Sequence, residues 1–581
     1  MSMQPRSVPQ VPEATAQVAR AAFPKGSLPM TIRDQLGEVF TDTEFAGAFA
    51  VRGAPAESPA MLALVTVLQF VEDLTDRQAA DAVRGRIDWK YGLGLELADH
   101  GFDYTVLSKF RARVVAHELE EKALDALLAH LRDKGLVKAG GKQRTDSTHV
   151  LGAVRDLNRL ELAGECVRAA LEAISAAAPG WVERVLEVGG WAERYRARVD
   201  SWRLPISATK REQLAIAYGA DGYALVSAVY APFSPAWLRE LPPVQALRIM
   251  LVQNYTRTTN SRGREVVKRR ESLDDGGEGL PPGSIRLASP YDADARWAAK
   301  GDDFFWCGFK VHISETCHDL PAPDETAPGT QPGNNAPTTP PNVITNVATT
   351  DATVPDVKQV EPIHAALERR GLLPAEHYVD SGYAAADLIV AARRRYGLAL
   401  VTPVLGDYSP QARAKTGFDR SAFTVDWDNQ QVTCPQGQTS SSWSPCIQRG
   451  QEAIVVKFGG EICHACPARS ACTSAKKGGR QLTLRPRALQ EVLDQARREQ
   501  HSTDWQARYA IRAGVEGTIH QAVAVTGIRQ ARYRGIKKVH LEHVYSAVAL
   551  NLIRLDAWWN GHVLDRTRTS HLARLELALT A

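Results

Sequence analysis

The chain has 581 residues, a mass of 63.5 kDa, an ordinary globular composition and a net charge of +4. This length exceeds the size at which a single hydrophobic core stops growing, so we expect several domains. The small net charge favours no class of partner, because nucleic-acid binding depends on local basic surfaces. Residues 1–23 lack the apolar core of an export signal, and the longest apolar stretch, 61–71, is too short to span a bilayer. We therefore expect a cytoplasmic chain with no membrane partner.

The first part of the chain is predicted to be helical. Residues 1–29 are predicted to form a flexible leader, and residues 30–138 an N-terminal helical domain. The helical prediction rests on apolar residues at three- and four-residue spacing in the segments 61–70, 79–83 and 119–131.

The middle of the chain alternates between predicted strands and helices, which is typical of an α/β domain. Residues 155–299 are predicted to form a mainly helical insertion, and the Pro-, Thr- and Asn-rich segment 319–341 a disordered loop. Strands are predicted at 144–150, 304–315, 343–350, 377–380 and 398–404, and helices at 356–370 and 384–394. The α/β core is thus assigned to residues 139–154, 300–404 and 487–560.

The remainder of the chain contains an interruption, further helices and a tail. Residues 405–486 are predicted to form a small cysteine-rich insertion, and helices resume near 488–500. Residues 561–581 are predicted to be a C-terminal tail.

Three short segments, each built around one acid, carry the clearest functional signal: Asp146 in 143–149, Asp380 in 377–383 and Glu516 in 509–517. Both aspartates are predicted to lie where a strand gives way to a turn, and Glu516 to open a helix. Mg²⁺ prefers oxygen ligands, and two such ions can bind the attacking and the leaving oxygen of a phosphodiester. The residues suggest a split metal site, although an isolated acid is more often a helix cap or one half of a surface ion pair.

The short sequence segments around these acids resemble the three signature regions of DDE transposases from bacterial insertion sequences. The resemblance is carried by 145–148, by 379–383 and by the spacing of Tyr509, Arg512 and Glu516, and it covers about residues 30–560. The segment 73–95 is similar to the N-terminal helical domain of one branch of the family. In the family a basic residue is expected seven positions after the Glu, where this chain has Val523.

This resemblance implies an RNase H-like catalytic core, interrupted by insertions, that uses two Mg²⁺ or Mn²⁺ ions held by Asp146, Asp380 and Glu516. It also implies binding of the terminal inverted repeats of the element, DNA strand cleavage and strand transfer into target DNA. The expected partners are double-stranded DNA, with which the chain would associate at the nucleoid, and further copies of the chain in a dimer or larger assembly. The alternative is a catalytically inactive or domesticated DNA-binding protein derived from a transposase.

Basic residues near the third acid are candidate DNA contacts, because Lys and Arg neutralise backbone phosphates. A solvated basic face is the competing interpretation. These candidates are Arg512, Arg529, Arg532, Arg534, Lys537 and Lys538. Tyr509 of the third signature region and Lys310, on a predicted strand, are further candidates.

The cysteine-rich insertion is predicted to bind one structural Zn²⁺ through Cys434, Cys463, Cys466 and Cys472. Cys446 is a fifth thiol in the same region, so the ligand set is not unique, and reduced thiols without metal are the alternative. A catalytic zinc is disfavoured, because four thiolates would leave no open position for water.

Overall fold

The computed structural model describes residues 2–6, 9–274, 276–318 and 339–561, which form a mixed α/β protein as predicted. Most of the predicted loop 319–341 lies outside the described residues. The same is true of the predicted tail 561–581, of which only Gly561 is described.

The first part of the chain is helical and includes a helix within the predicted leader. Its helices are α1 (Glu13–Ala22), α2 (Leu28–Leu36), α3 (Asp42–Phe45), α4 (Pro59–Val71), α5 (Asp76–Gly85), α6 (Ile87–Leu93), α7 (Thr105–Ala116) and α8 (Lys122–Asp133). Ala19 of α1 is fully buried in a small cluster with Met30 and Tyr91. Residues 13–22 therefore pack against the helical domain, unlike the flexible leader that their mixed composition had suggested.

A second helical unit follows the first strand, β1 (Lys142–Leu151). It comprises α9 (Arg159–Ala177), α10 (Pro179–Val185), α11 (Val188–Tyr195), α12 (Ala208–Val229), α13 (Pro242–Asn254) and the antiparallel hairpin of β2 (Tyr255–Thr259) and β3 (Glu265–Arg269). Its hydrophobic core includes Leu225, Leu247 and Met250, each fully buried. The hairpin adds two strands to a segment, 155–299, that was predicted to be mainly helical.

The central sheet combines antiparallel and parallel pairing. Its further elements are β4 (Arg296–Lys300), β5 (Phe304–Cys317), β6 (Ile344–Asp351), α14 (Val360–Arg369), β7 (Glu376–Tyr378), α15 (Ala386–Tyr396) and β8 (Ala399–Val401). Strand β5 pairs antiparallel with β1 on one side and with β4 and β6 on the other. Beyond β1 the sheet continues with β7 and β8 in parallel. Strand β4 thus joins the sheet although it lies mostly within the predicted helical insertion.

The cysteine-rich region forms a small unit with its own core. Its elements are α16 (Pro410–Ala414), β9 (Thr424–Asp426), β10 (Gln431–Thr433), β11 (Ser442–Gln448), β12 (Gln451–Lys457), α17 (Gly460–His464), α18 (Arg469–Cys472) and β13 (Gln481–Leu484). Strands β11, β12 and β13 form an antiparallel sheet, and Val432, Phe458 and Leu484 are buried beside it.

The last helices join the N-terminal helices to the central sheet. They are α19 (Arg487–Glu499), α20 (Thr503–Tyr509), α21 (Gly514–Thr526) and α22 (Ile536–Trp559). Helix α22 packs against α4 and α8 on one side and β6 on the other. On the β6 side, the Asn551 amide bonds both the N–H and the carbonyl of Ile344. None of the helices in the described ranges has the length and apolar character needed to cross a membrane.

Candidate active site

The first acid, Asp146, lies in the middle of a central strand. The predicted strand 144–150 is present as part of β1, but the prediction that it gives way to a turn at Asp146 is wrong, because β1 continues to Leu151 and stays paired with β5 along its whole length. The Ser147 N–H donates to Asp146 Oδ1 at 2.8 Å. Only 13% of the Asp146 side chain is exposed. The strand therefore presents a nearly buried carboxylate from a rigid position.

The second acid, Asp380, follows the neighbouring parallel strand. The last register pair between β1 and β7 joins Arg144 to Tyr378, so Asp146 and Asp380 each lie two residues beyond it. Asp380 caps a short 3₁₀ turn, where its Oδ1 accepts from the Gly382 N–H at 2.9 Å. The parallel register is what brings the two aspartates side by side.

The third acid, Glu516, lies in the first turn of α21. The signature residues before it do not share one continuous helix, since α20 ends at Tyr509 and a 3₁₀ turn at Ala510–Ala513 precedes α21. The Tyr509 hydroxyl donates to the carbonyl of Val379, the residue before Asp380, at 3.1 Å. This contact ties the signature segment to the strand end that carries the second acid.

All three carboxylates converge on the guanidinium of Arg512. Its Nη2 lies 2.7 Å from Asp146 Oδ2 and 3.9 Å from Asp380 Oδ2, and its Nη1 lies 2.5 Å from Glu516 Oε1. Since one side chain contacts acids that are remote along the chain, the structure brings the three predicted site residues together. Arg512 was predicted to contact DNA and instead lies among the acids.

The electrostatics of this cluster follow from burial and from mutual charge. Burial raises the pKa of the Asp146 carboxyl to about 6, with Arg512 acting in the opposite direction and the other two acids adding to the rise. Burial acts to lower the pKa of Arg512, but the surrounding carboxylates raise it overall. The guanidinium therefore remains charged and acts as the counter-ion of the cluster.

A buried polar network that the sequence did not indicate fixes α21 against the sheet. Glu315 of β5 has no exposed surface and accepts from Arg144 at 2.7 Å, from Thr518 at 2.6 Å and from Arg554 at 2.8 Å. Arg144 also donates to the carbonyl of Ile511 at 2.7 Å, and a side chain at Gly514 would overlap its guanidinium. This network holds the turn that carries Arg512 in place.

A fourth carboxylate, Asp356, lies beside the site and was also missed. Its Oδ2 accepts from the Ser147 hydroxyl at 2.9 Å, and its Oδ1 accepts from Lys310 Nζ at 2.7 Å. Lys310, a predicted DNA contact, is thus largely buried in an ion pair. The sequence placed Asp356 at the start of a helix, and no local pattern connects it to Asp146.

The chemistry of the carboxylates fits hard divalent cations, which take oxygen ligands. Within the described ranges, however, no group of three or more His, Cys, Asp or Glu side chains is arranged to hold a metal ion. The acids surround Arg512, and Glu516 remains 64% exposed. The carboxylate oxygens that could bind a metal are present, but they are not arranged around a common metal position.

Four cysteines of the insertion line one small cavity of about 30 Å³: Cys434, Cys463, Cys466 and Cys472. Cys446 is not among its lining residues and lies on β11 opposite Ala453. The backbone N–H of Arg480 donates to Cys463 Sγ at 3.5 Å. The four thiols of the predicted zinc site are therefore neighbours, although the arrangement does not meet the geometry of a metal site.

Two of the candidate DNA-binding residues lie in contacts with the N-terminal helices. Arg532 pairs with Asp73 and lies over the Phe70 ring, 4.7 Å from its centroid. Lys537 pairs with Glu118 at 3.0 Å. These two basic residues therefore contact the N-terminal part of the chain.

The other candidates lie closer to the surface. The Arg529 Nε donates to Thr148 Oγ1 on β1 at 2.9 Å, Arg534 lies over the Tyr291 ring, and Lys538 is exposed. The Tyr509 ring stacks on Trp505 with 4.8 Å between centroids. Arg529, Arg534 and Lys538 thus keep exposed basic groups next to the acid-bearing sheet.

Comparison with known families matches two parts of the chain. Residues 433–556 match the family described as "Transposase DDE domain", and residues 18–113 match the family described as "Transposase domain (DUF772)". The first match contains Glu516 and the four clustered cysteines, while Asp146 and Asp380 precede it. A search of curated proteins found no match.

Proposed function

We propose that this chain, two segments of which match transposase families, is an insertion-sequence DDE transposase. It would bind the terminal inverted repeats of its element and cleave and transfer DNA strands at Asp146, Asp380 and Glu516. The single observation that carries this proposal is the contact of all three carboxylates with one guanidinium, that of Arg512. An arbitrary trio of acids remote in sequence has no reason to converge in this way.

The strand arrangement supports an RNase H-like core. Three antiparallel strands, β6, β5 and β1, are followed by the parallel strands β7 and β8. Asp146 from β1 and Asp380 from the end of β7 meet where the antiparallel half adjoins the parallel half. Glu516 is added by a helix that packs on this side of β1 and β5.

Asp146, Asp380 and Glu516 would hold two Mg²⁺ or Mn²⁺ ions, which when bound supply positive charge to a phosphodiester and acidify the attacking water. Without metal, the charge of these carboxylates is balanced by Arg512. A planar guanidinium at this position could also donate two hydrogen bonds to a phosphate of a bound strand. Asp146 is held in place by Ser147, and Asp380 by Gly382, so both offer preset oxygens.

The DNA would lie across the exposed basic groups beside the sheet. Arg529, Arg534 and Lys538 are exposed on the segment between α21 and the first turns of α22. Arg532 and Lys537 would serve mainly to join this segment to the N-terminal helices, through Asp73 and Glu118. We further propose that the four clustered cysteines bind one Zn²⁺, and that the protein acts on paired element ends as a dimer or larger assembly.

The experiment is a nicking assay with purified full-length protein, Mg²⁺ and a duplex carrying the inverted repeats that flank the gene. Asp146→Asn, Asp380→Asn and Glu516→Gln should each reduce nicking by at least about a hundredfold, since each removes charge that acts on the transition state. DNA affinity, measured by fluorescence anisotropy, should persist in all three variants.

The matched control is Asp387→Asn, an exposed acid seven residues after Asp380 in the first turn of α15. It should nick at the parental rate. Equal nicking by the parent and the three site variants would refute the proposed chemistry. A parent that binds these ends but never nicks them would favour an inactive, domesticated DNA-binding protein.

A further inference from the structure

A second cationic site lies in the cysteine-rich unit, apart from the carboxylate cluster. A pocket of about 650 Å³ opens between the loop after β8, the β11–β13 sheet and α19. The pocket is lined by five arginines: Arg420, Arg449, Arg480, Arg485 and Arg497. Among its lining residues Asp407 is the single carboxylate. The five guanidinium groups outnumber the neighbouring carboxylates, so the cavity carries excess positive charge and would attract an anion.

The floor of the pocket is preorganised. Arg420 is largely buried and pairs with Asp494 of α19, and the Arg497 guanidinium lies 3.9 Å from the same carboxylate. Burial lowers the pKa of Arg420, and the charge of Arg497 lowers it further. Arg497 Nε also donates to the Leu405 carbonyl at 3.0 Å. These contacts hold two cations close together in spite of their repulsion.

The rim offers hydrogen-bond donors to a ligand. Arg449 is exposed in the tight turn between β11 and β12, where its φ is 51°. Arg485 is half-buried and donates to the Gln451 side chain. Arg480 is directed away from a ligand, because its Nη1 donates to the Cys472 carbonyl at 2.9 Å and its Nε is buried. Arg449 is therefore the donor most open to a ligand.

The remaining lining combines apolar residues with neutral polar ones. The polar lining residues are Ser409, Gln411, Gln448, Gln451, Gln481, Thr483 and Gln490. Tyr408 lies at the edge with 62% of its surface exposed. Arginine forks and amides bind phosphate oxygens, and an exposed aromatic ring packs on a sugar or base. The pocket is therefore chemically complementary to a polymer that carries phosphate groups.

We infer that this arginine-lined pocket binds backbone phosphates of double-stranded DNA outside the cleavage site, as a second grip on the element end. The inference rests on the proposed action on DNA, but not on the cleavage step. It assigns a binding role to Arg449 and Arg485, which no local sequence pattern singles out.

The test measures DNA affinity of the full-length protein by fluorescence anisotropy in EDTA, with a labelled inverted-repeat duplex and several salt concentrations. Arg449→Gln and Arg485→Gln should each weaken binding by about tenfold, the loss expected for one charged hydrogen bond. Each should also lower the slope of log affinity against log salt by about one. Lys210→Gln is the charge-matched control, on an exposed position of α12 far along the chain from the pocket.

Melting temperatures separate a binding role from misfolding, and both pocket variants should melt with the parent. Parental affinity and salt slope in both variants would overturn the inference. A second result would also overturn it: tripolyphosphate raises the melting temperature of the parent but of neither variant, while the DNA affinity of both variants equals that of the parent. A parent that binds DNA but does not nick it would refute the proposed cleavage and leave this inference standing.

Discussion

The guanidinium of Arg512 lies 2.7 Å from the carboxylate of Asp146 and within 4 Å of the two other acids of the site. In this arrangement an arginine supplies the positive charge that divalent ions are proposed to supply. Arg512 and the proposed metal ions would therefore compete for the same carboxylate oxygens.

Arg512→Gln should bind Mn²⁺ more tightly than the parent in the absence of DNA. The substitution removes the competing charge, and we expect an affinity gain of about tenfold, equal to about 1.4 kcal/mol. Isothermal titration calorimetry or electron paramagnetic resonance of Mn²⁺ measures it without any reliance on nicking.

Arg508→Gln provides the comparison for Arg512→Gln. Arg508 lies four residues earlier and pairs with Glu376 at 2.8 Å. Its loss should leave Mn²⁺ affinity unchanged. Weaker or equal Mn²⁺ binding by Arg512→Gln would contradict the competition and would assign Arg512 an organising role instead.

Glu315→Gln should strongly destabilise the protein. The change leaves Arg144 and Arg554 as buried charges without their shared carboxylate, which costs about 3–5 kcal/mol when one partner of a buried pair is removed. Urea unfolding measures the loss. Glu278→Gln, which breaks an exposed pair with Arg270, should change the free energy of unfolding by less than about 1 kcal/mol, and similar losses for both variants would contradict the assignment.

The elements that local patterns determine were predictable from the sequence, whereas contacts between distant segments were not. The three acids were predicted because each lies in a distinctive short sequence motif. Helix α4 was predicted from the spacing of its apolar residues, and α21 from the placement of Glu516 at the start of a helix. Asp356, Glu315 and the inward placement of Arg512 depend on strand register and on the packing of α21. The strand around Asp146 was predicted from its local sequence, whereas its pairing with β5 on one side and β7 on the other was not.

Cys463→Ser should remove bound zinc and lower the melting temperature. Cys463 lines the four-thiol cavity, and a small unit with few apolar residues gains much of its stability from a metal. Zinc content by plasma mass spectrometry should fall from about one ion per chain to near zero. Cys446→Ser, which alters the fifth thiol outside the cavity, should keep its zinc, and a parent without zinc would refute the site.

Acid should destabilise the protein through buried histidines. Burial lowers the pKa of His364 to about 4 and that of His543 to about 3. Between these values and about 6.5 the unfolded chain binds protons that the folded chain does not, so stability is full above pH 6.5 and falls as the pH decreases. Each histidine contributes about 1.4 kcal/mol per pH unit to this slope.

Thermal unfolding between pH 7 and pH 5 measures this dependence. His543→Gln should have a shallower slope than the parent, because one group that takes up a proton on unfolding is gone. His501→Gln, at an exposed position, should retain the parental slope. Equal slopes for all three proteins would contradict the role assigned to His543.

The order of the acids along the chain has a consequence for when the proposed nuclease activity can arise. Asp146 and Asp380 come from strands, but Glu516 and Arg512 arrive only with the helix that Arg144, Glu315 and Arg554 anchor. A nascent chain that has not passed residue 554 lacks that anchor, and a fragment ending before residue 516 lacks the third acid. The proposed cleavage of DNA would therefore require nearly complete synthesis of the chain, and truncated copies of the gene would encode products without it.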